Sequence, residues 1–278
     1  MRTPPIICAF LLAANAASAQ NIVLNGDFEA NSATGCHFQL ANSDFDAIMQ
    51  NCRAFGDLFG GTGALDVLDA VGSCGYGASG PVGPTKVALE CDGSPFTDAF
   101  SLALESQVIA GDDYRLSFWD YRHILPWYSG PAVLEIGVSS EPLSFDTLLE
   151  AFAVSNTAFA RHESNFVAAA GGRYLTLRLQ GNSECWIHVD GFELERGDIT
   201  FTMSGACPGL LSATITRATP NGIVAVGYSP VAGTLVIPAG QPCAGNAALS
   251  GFIPAALCGY SVQVMDLATC DTSNVETF

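Results

Sequence analysis

Four short segments place aromatic and charged side chains at the two-residue spacing of a β-strand. In 114–121, Arg115, Ser117, Trp119 and Tyr121 alternate with Leu116 and Phe118; in 185–192, Trp186 and His188 alternate with Ile187 and Val189. The same split recurs in 173–180, where Tyr174, Thr176, Arg178 and Gln180 oppose Leu175, Leu177 and Leu179. It recurs again in 133–138, where Glu135 opposes Leu134, Ile136 and Val138. Successive strand side chains point to opposite faces, so each aliphatic set packs inward and its partner set faces out. If the four strands share a sheet, Arg115, Trp119, Tyr121, Glu135, Arg178, Trp186 and His188 line one outer face. That set suits a polyhydroxylated ring: an apolar C–H face stacks on indole or phenol, and fixed donors and acceptors meet the hydroxyls. His123, Trp127 and Tyr128 follow in a loop and either rim such a site or anchor the loop. The alternative is that the stretches 36–80 and 122–132 fold over the aromatics and make them core.

Catalytic constellations are few. No Gly-x-Ser-x-Gly or His-Glu-x-x-His occurs, and Gly60-Gly-Thr-Gly63 lacks the lysine of a phosphate loop. Carboxylate pairs for glycosidic cleavage can be assembled from Glu90, Glu105 or Glu135, as in any acidic chain. With Lys86 the sole lysine and four histidines, acid–base candidates are scarce. A non-catalytic role is expected.

The elements that must position these residues follow from composition. Of 278 residues 49% are apolar and only 13% charged, with 29 glycines and 14 prolines, the profile of a turn-rich β protein. The net charge of −17 disfavours nucleic acid and anionic lipid as partners. Apolar runs bounded by turn residues recur from 21–24 to 260–266 and predict an all-β chain. Helical spacing is confined to about 43–58 and to Phe145–Phe152. Near Glu195-Arg196-Gly197-Asp198 the texture shifts to small apolar residues. The organisation predicted is therefore a β-sandwich over 20–197 and a small disulfide-containing β-sandwich over 198–278. Thr219-Pro-Asn-Gly222 is a turn signal within the second.

Residues 1–19 read as a secretory signal: Arg2, the apolar run Ile6 to Ala14, and the cleavage site Ala17-Ser18-Ala19. That run is too short to span a bilayer, and no later segment is apolar enough, so a secreted or cell-surface protein without membrane insertion is expected. In such a compartment cysteines default to disulfides. Proximity pairs Cys36 with Cys52, Cys74 with Cys91, Cys207 with Cys270 and Cys243 with Cys258. Cys185 is left over, for a partner protein or for burial. Without a C-x-x-C, zinc is disfavoured. Asp44-Phe-Asp46 and Asp66-Val-Leu-Asp69 lack the alternation of a calcium loop and read as surface acids or helix caps.

The opening Asn21-Ile-Val-Leu-Asn-Gly-Asp-Phe-Glu29, the middle Tyr114-Arg-Leu-Ser-Phe-Trp119 and the closing Trp186-Ile-His-Val-Asp-Gly-Phe-Glu-Leu-Glu195 resemble the first, central and last strands of galactose-binding-like jelly rolls, the fold of many carbohydrate-binding modules. The resemblance covers residues 21–195 and implies a jelly-roll sandwich. It also implies a structural calcium ion, Ca2+, held by Glu29 and Asp190 with Asp27 beside them, although these acids could equally cap turns. Gly191 stands where such families often carry a second acid. The downstream piece looks like the small β domains that follow such modules in secreted bacterial proteins. The function expected is extracellular recognition of a carbohydrate or polysaccharide. The alternatives are a structural or adhesive surface protein with no small-ligand site, and a polysaccharide hydrolase or lyase.

Overall fold

The structure is a computed structural model, and it describes residues 21–56, 65–69, 80–92, 98–126, 130–181, 184–197, 199–216, 223–229, 233–238, 247–253, 255–266, 273 and 275–278. The chain divides into two compact units, Gln20–Arg196 and a unit that begins at Gly197. The signal-like residues 1–19, Gly60–Gly63 and Thr219–Gly222 lie outside the described residues.

The first unit is built from β1 (His37–Leu40), α1 (Asn42–Ile48), β2 (Cys52–Ala54), β3 (Leu65–Asp69), β4 (Thr85–Asp92), β5 (Ala99–Val108), β6 (Asp113–Arg122), β7 (Ala132–Ser139), β8 (Thr147–Val154), β9 (Ala160–Val167), β10 (Gly172–Gln180) and β11 (Glu184–Arg196). A six-stranded sheet has the order β1-β3-β4-β11-β6-β9, and a five-stranded sheet the order β2-β5-β10-β7-β8. All these pairings are antiparallel. The fold is the expected all-β sandwich. Its core takes the inward sets read from the sequence: Leu116 and Phe118 of β6, Leu134, Ile136 and Val138 of β7, Leu175, Leu177 and Leu179 of β10, and Ile187 and Val189 of β11. Phe118 is fully buried at the centre, stacked on Phe192 at 5.1 Å between ring centroids and edge-on to Phe152 at 4.9 Å.

Strand β11 would lose that alternation halfway without Gly191. Trp186, His188 and Asp190 face out, and strict two-residue spacing would send Phe192 and Leu194 out as well. The register against β6 shifts between Asp190 and Glu193, and Gly191 has a φ of 62°. A glycine in the left-handed region is the standard way to insert one residue into a strand. After it, Phe192 and Leu194 enter the core while Glu193 and Glu195 turn outward.

Three local expectations are corrected. Phe145–Phe152 is not helical, because 147–154 pairs with β7 as an edge strand of the five-stranded sheet. The helix expected over 43–58 stops at Ile48, and Cys52–Ala54 pairs with β5 instead. Asp66 is no surface acid: it lies in β3 and is 3% exposed. Where it is described, the stretch 36–80 holds β1, α1, β2 and β3 rather than one long loop.

The second unit holds β12 (Thr200–Gly205), β13 (Gly209–Thr216), β14 (Ile223–Ser229), β15 (Gly233–Pro238), β16 (Ala247–Ile253), β17 (Ser261–Asp266) and β18 (Glu276–Thr277). They form sheets of order β12-β13-β16 and β15-β14-β17-β18, which share a core of Ile199, Phe201, Ile215, Val224, Val262 and Val264. A disulfide joins Cys207 to Cys258, with Cα atoms 5.5 Å apart. The bond overturns two expected pairings at once, Cys207 with Cys270 and Cys243 with Cys258. Proximity gave Cys258 to Cys243 and so left Cys207 to Cys270, whereas the turn after β12 is brought to the segment before β17.

The Cys36–Cys52 pairing is also overturned. Cys36 is disulfide-bonded elsewhere, and Cys52 is a buried thiol to which the Asn25 side-chain amide donates at 3.9 Å. Cys91 is a buried thiol too, and it faces Cys185 across β4 and β11 instead of Cys74, which lies outside the described residues.

Because Phe118 links both sheets through Phe152 and Phe192, truncating it opens a cavity in the middle of the sandwich. Phe118→Ala is expected to lower the unfolding free energy by about 3–5 kcal/mol, measured by denaturant unfolding of the parent and the variant.

Candidate functional site

The seven residues expected on one outer face do not share a sheet. Arg115, Trp119 and Tyr121 of β6 and Trp186 and His188 of β11 lie on the outer face of the six-stranded sheet. Glu135 of β7 and Arg178 of β10 lie on the outer face of the five-stranded one. Alternation assigned every one of them to the correct side of its own strand. It could not report that the chain crosses between sheets after β6. Glu135 and Arg178 are direct cross-strand partners, joined at 2.5 Å from Nε to Oε2, and the Arg178 guanidinium lies 4.1 Å over the Phe145 ring. Gly137 makes room for that ring, since a Cβ there would stand 2.7 Å from Phe145 Cζ.

On the six-stranded sheet the outward residues form two tiers. The inner tier is sealed. Trp186 is 5% exposed and His188 fully buried, so for these two the covered alternative holds and not the ligand-facing one. Leu68, Ala88, Cys36 and Leu125 pack with Trp186. The register places Asp66, Ala88, His188 and Tyr121 in one row across β3, β4, β11 and β6. Trp186 Nε1 donates to Asp66 Oδ2 at 2.8 Å, and the Gln39 amide donates to Oδ1 at 2.7 Å. The His123 ring lies parallel to that of His188 at 5.5 Å, and Trp186 meets His188 edge-on at 4.7 Å. Both ring nitrogens of His188 are buried without a hydrogen-bond partner.

The outer tier is half-buried and reachable: Trp119, Tyr121, His123 and Phe159. Tyr121 packs against Phe159 at 5.5 Å and against His188 at 5.0 Å, and its hydroxyl is 2.5 Å from His123 Nδ1. Lys86, itself 3% exposed, brings its ammonium to 5.6 Å from the Phe159 ring. Phe159 was missed because it sits just before β9, outside any strand alternation. The only sequence signal for it is an aromatic next to an edge strand. Trp127 and Tyr128 lie outside the described residues.

Beyond Trp119 the face becomes ionic. Arg115 pairs with Glu195 and, at 3.5 Å, with Glu163, while Arg161 pairs with Glu193 at 3.0 Å and with Glu163 at 3.8 Å. Arg115 is thus a member of a solvent-exposed ladder across β11, β6 and β9, in which single pairs contribute little to stability.

At the other border of Trp119, the carboxylates of Glu29 and Asp190 grip one stretch of chain. Asp190 Oδ2 accepts the Val82 amide at 3.1 Å, and Glu29 Oε1 accepts the Thr85 amide at 2.8 Å. Gly80 and Gly83 are required there, since a Cβ on either would fall within 2.3 Å and 2.2 Å of those same oxygens. Asp190 is pushed up to about 7, mainly by burial and further by the charges of Glu29 and Asp27. Its Oδ1 is buried with no hydrogen-bond partner. Asp27 is exposed and accepts the Glu29 amide at 3.3 Å.

No family model and no curated protein matches the chain. Solved structures similar to it include the adhesin domain of Epf from Streptococcus pyogenes, at 11% identity over 94% of this chain and 96% of that one, with a TM-score of 0.46. TmCBM61 in complex with β-1,4-galactotriose is similar at 15% identity over 64% of this chain and all of that one, with a TM-score of 0.33. The CBM22-1 xylan-binding domain of Xyn10C from Paenibacillus barcinonensis is similar at 13% identity over 65% and 97%, with a TM-score of 0.35. All three are of low identity, and what this chain does rests on its own site.

The sealed tier makes a testable link to pH. Burial pushes Asp66 up to about 6, against the opposing pull of its bonds from Gln39 and Trp186. Burial, with the charges of Lys86 and His123, holds His188 well below the usual histidine range. A carboxyl raised in the folded state takes up its proton before the unfolded chain does, so its contribution to stability grows as pH falls from about 6 toward 4. A histidine depressed in the folded state acts oppositely and costs stability as pH falls below about 6.5. Asp66→Asn removes only the first contribution. The variant is expected to lose more thermal stability than the parent between about pH 7 and pH 5, read from melting temperatures at both.

Proposed function

We propose that the outer tier of the six-stranded sheet, Trp119, Tyr121, His123 and Phe159, binds a carbohydrate outside the cell without transforming it. The observation that supports this reading most is the strip of half-buried aromatic rings with charged neighbours on both borders. Such a strip offers ring faces to sugar C–H groups. It also offers hydroxyl partners in the Tyr121 phenol, the His123 imidazole and the Arg161 guanidinium. Trp186 and His188 form its sealed floor in this reading and do not touch the ligand. The protein's acidity favours neutral or cationic glycans over acidic ones. Among the described residues no helix is long and apolar enough to cross a membrane, and the secreted or surface location is part of the proposal.

Glycan-array binding followed by calorimetry, with xylan and galactan oligosaccharides among the probes, tests the site. Trp119→Ala and Tyr121→Ala are each expected to weaken binding by about tenfold or more, the scale of one lost aromatic contact. Arg178→Ala, on the other sheet, should leave binding unchanged. No glycan bound by the parent, with association to cells retained, would favour the adhesive reading instead. The sealing of Trp186 and His188 speaks for that second reading, because it takes two of the seven expected contact residues out of reach.

The same proposal includes calcium at the border of the strip. The hard oxygen donors of Glu29 and Asp190 fit that ion, and the buried Asp190 Oδ1 lacks a partner. Among the described residues no three His, Cys, Asp or Glu side chains group as a metal site, so these two carboxylates would act with backbone oxygens. A bound calcium ion would supply positive charge between two carboxylates that otherwise repel. Addition of calcium after chelation is expected to raise the melting temperature of the parent and leave that of Asp190→Asn unmoved.

A further inference from the structure

Nothing in the strip or its border uses the two thiols buried beneath it. Cys91 of β4 and Cys185 of β11 are register partners in adjacent antiparallel strands. Both are fully buried. Partners at that position have Cα atoms about 4.5–5.5 Å apart, inside the separation a disulfide spans. Their side chains are in hydrogen-bond contact with each other, and Cys91 also donates to the Gly181 carbonyl at 3.3 Å. Gly181 closes the space above them: a Cβ there would lie 2.8 Å from one sulphur and 3.3 Å from the other. Two sulphurs thus occupy one small compartment with no third cysteine among their cross-strand neighbours.

We propose that Cys91 and Cys185 are joined by a disulfide in the mature protein, which fastens β4 to β11 from inside the sandwich. The bond forms by exchange with a disulfide donor such as an oxidoreductase or oxidised glutathione. One cysteine thiolate attacks the donor to give a mixed disulfide and releases one donor thiol. The second cysteine then attacks that mixed disulfide, the Cys91–Cys185 bond forms, and the second donor thiol leaves. Two electrons pass to the donor disulfide, and the two protons lost by the cysteines end on its two thiols. The reaction belongs to the folding chain, before β4 and β11 close over the sulphurs, since the closed sheet admits no donor and burial keeps thiols protonated. Once made, the bond closes a loop of roughly 90 residues and fixes the register in which Trp186 faces Glu90. It also gives the otherwise odd Cys185 its partner and leaves Cys52 as the lone thiol of the first unit among the described residues.

The test is disulfide mapping of the parent protein expressed with its export signal in an oxidising host. The protein is denatured in iodoacetamide without reductant, digested and analysed by mass spectrometry. The expected result is a Cys91–Cys185 cross-linked peptide, lighter by two hydrogens than its two reduced halves together, with Cys52 recovered alkylated. Recovery of Cys91 and Cys185 as two alkylated peptides, or of either bonded to another cysteine, overturns the proposal. Because no variant is involved, a folding defect cannot mimic either outcome.

Discussion

The first unit depends on the double duty of β11. It lies between β4 and β6 in the middle of its sheet, so both of its edges are committed to hydrogen bonds. Both of its faces are committed as well. Inward it supplies Ile187, Val189, Phe192 and Leu194, and outward Trp186, His188 and Asp190. One strand can serve both faces over this length only if its alternation is reset once, and the left-handed Gly191 performs that reset. The glycine also sits against Trp119 and Val82, where a Cβ would stand 3.0 Å and 2.4 Å from the nearest side-chain atoms. Backbone conformation and close approach thus call for the same residue at the same place.

The polar groups of the outer face follow from that commitment. A buried indole must place its N–H, and Asp66 accepts it at the cost of a carboxyl held in a dry environment. Lys86 is equally sealed and is drawn down by burial, with the Asp190 charge opposing. The chain's sole lysine is therefore spent inside the molecule, and its exposed cationic groups are arginines. Two of those, Arg115 and Arg161, are tied into the ladder with Glu163, Glu193 and Glu195.

Within strands the sequence was transparent. Each inward and outward set in β6, β7, β10 and β11 lies on the side that its spacing assigned. What alternation lacks is any record of which strands are neighbours, and Glu135 with Arg178 went to the wrong sheet for that reason. It also lacks any record of what lies above an outer face. Trp186 and His188 read as ligand-facing because their period is outward, yet Cys36, Leu68 and Leu125 pack with Trp186, and Tyr121, His123 and Trp186 surround His188. The two-residue signal was equally invisible where strands are short, so β1 and β3 were absorbed into a loop, β2 into an expected helix, and Asp66 passed for a surface acid. Disulfide partners failed for want of a similar record: Cys258 went to Cys243, its nearer neighbour along the chain, and spacing does not show that the turn holding Cys207 returns to it.

The strand order carries a consequence for synthesis. The last strand of the first unit, β11, is also a central one, and the opening segment leans on its far end, with the Ile22 amide donating to the Leu194 carbonyl at 2.9 Å. A nascent chain that ends before Glu184 has β4 and β6 but nothing to bridge them, so the two halves of the six-stranded sheet, β1-β3-β4 and β6-β9, cannot join. Assembly therefore waits for residue 196 to emerge, and until then the polypeptide is delivered without its finished fold.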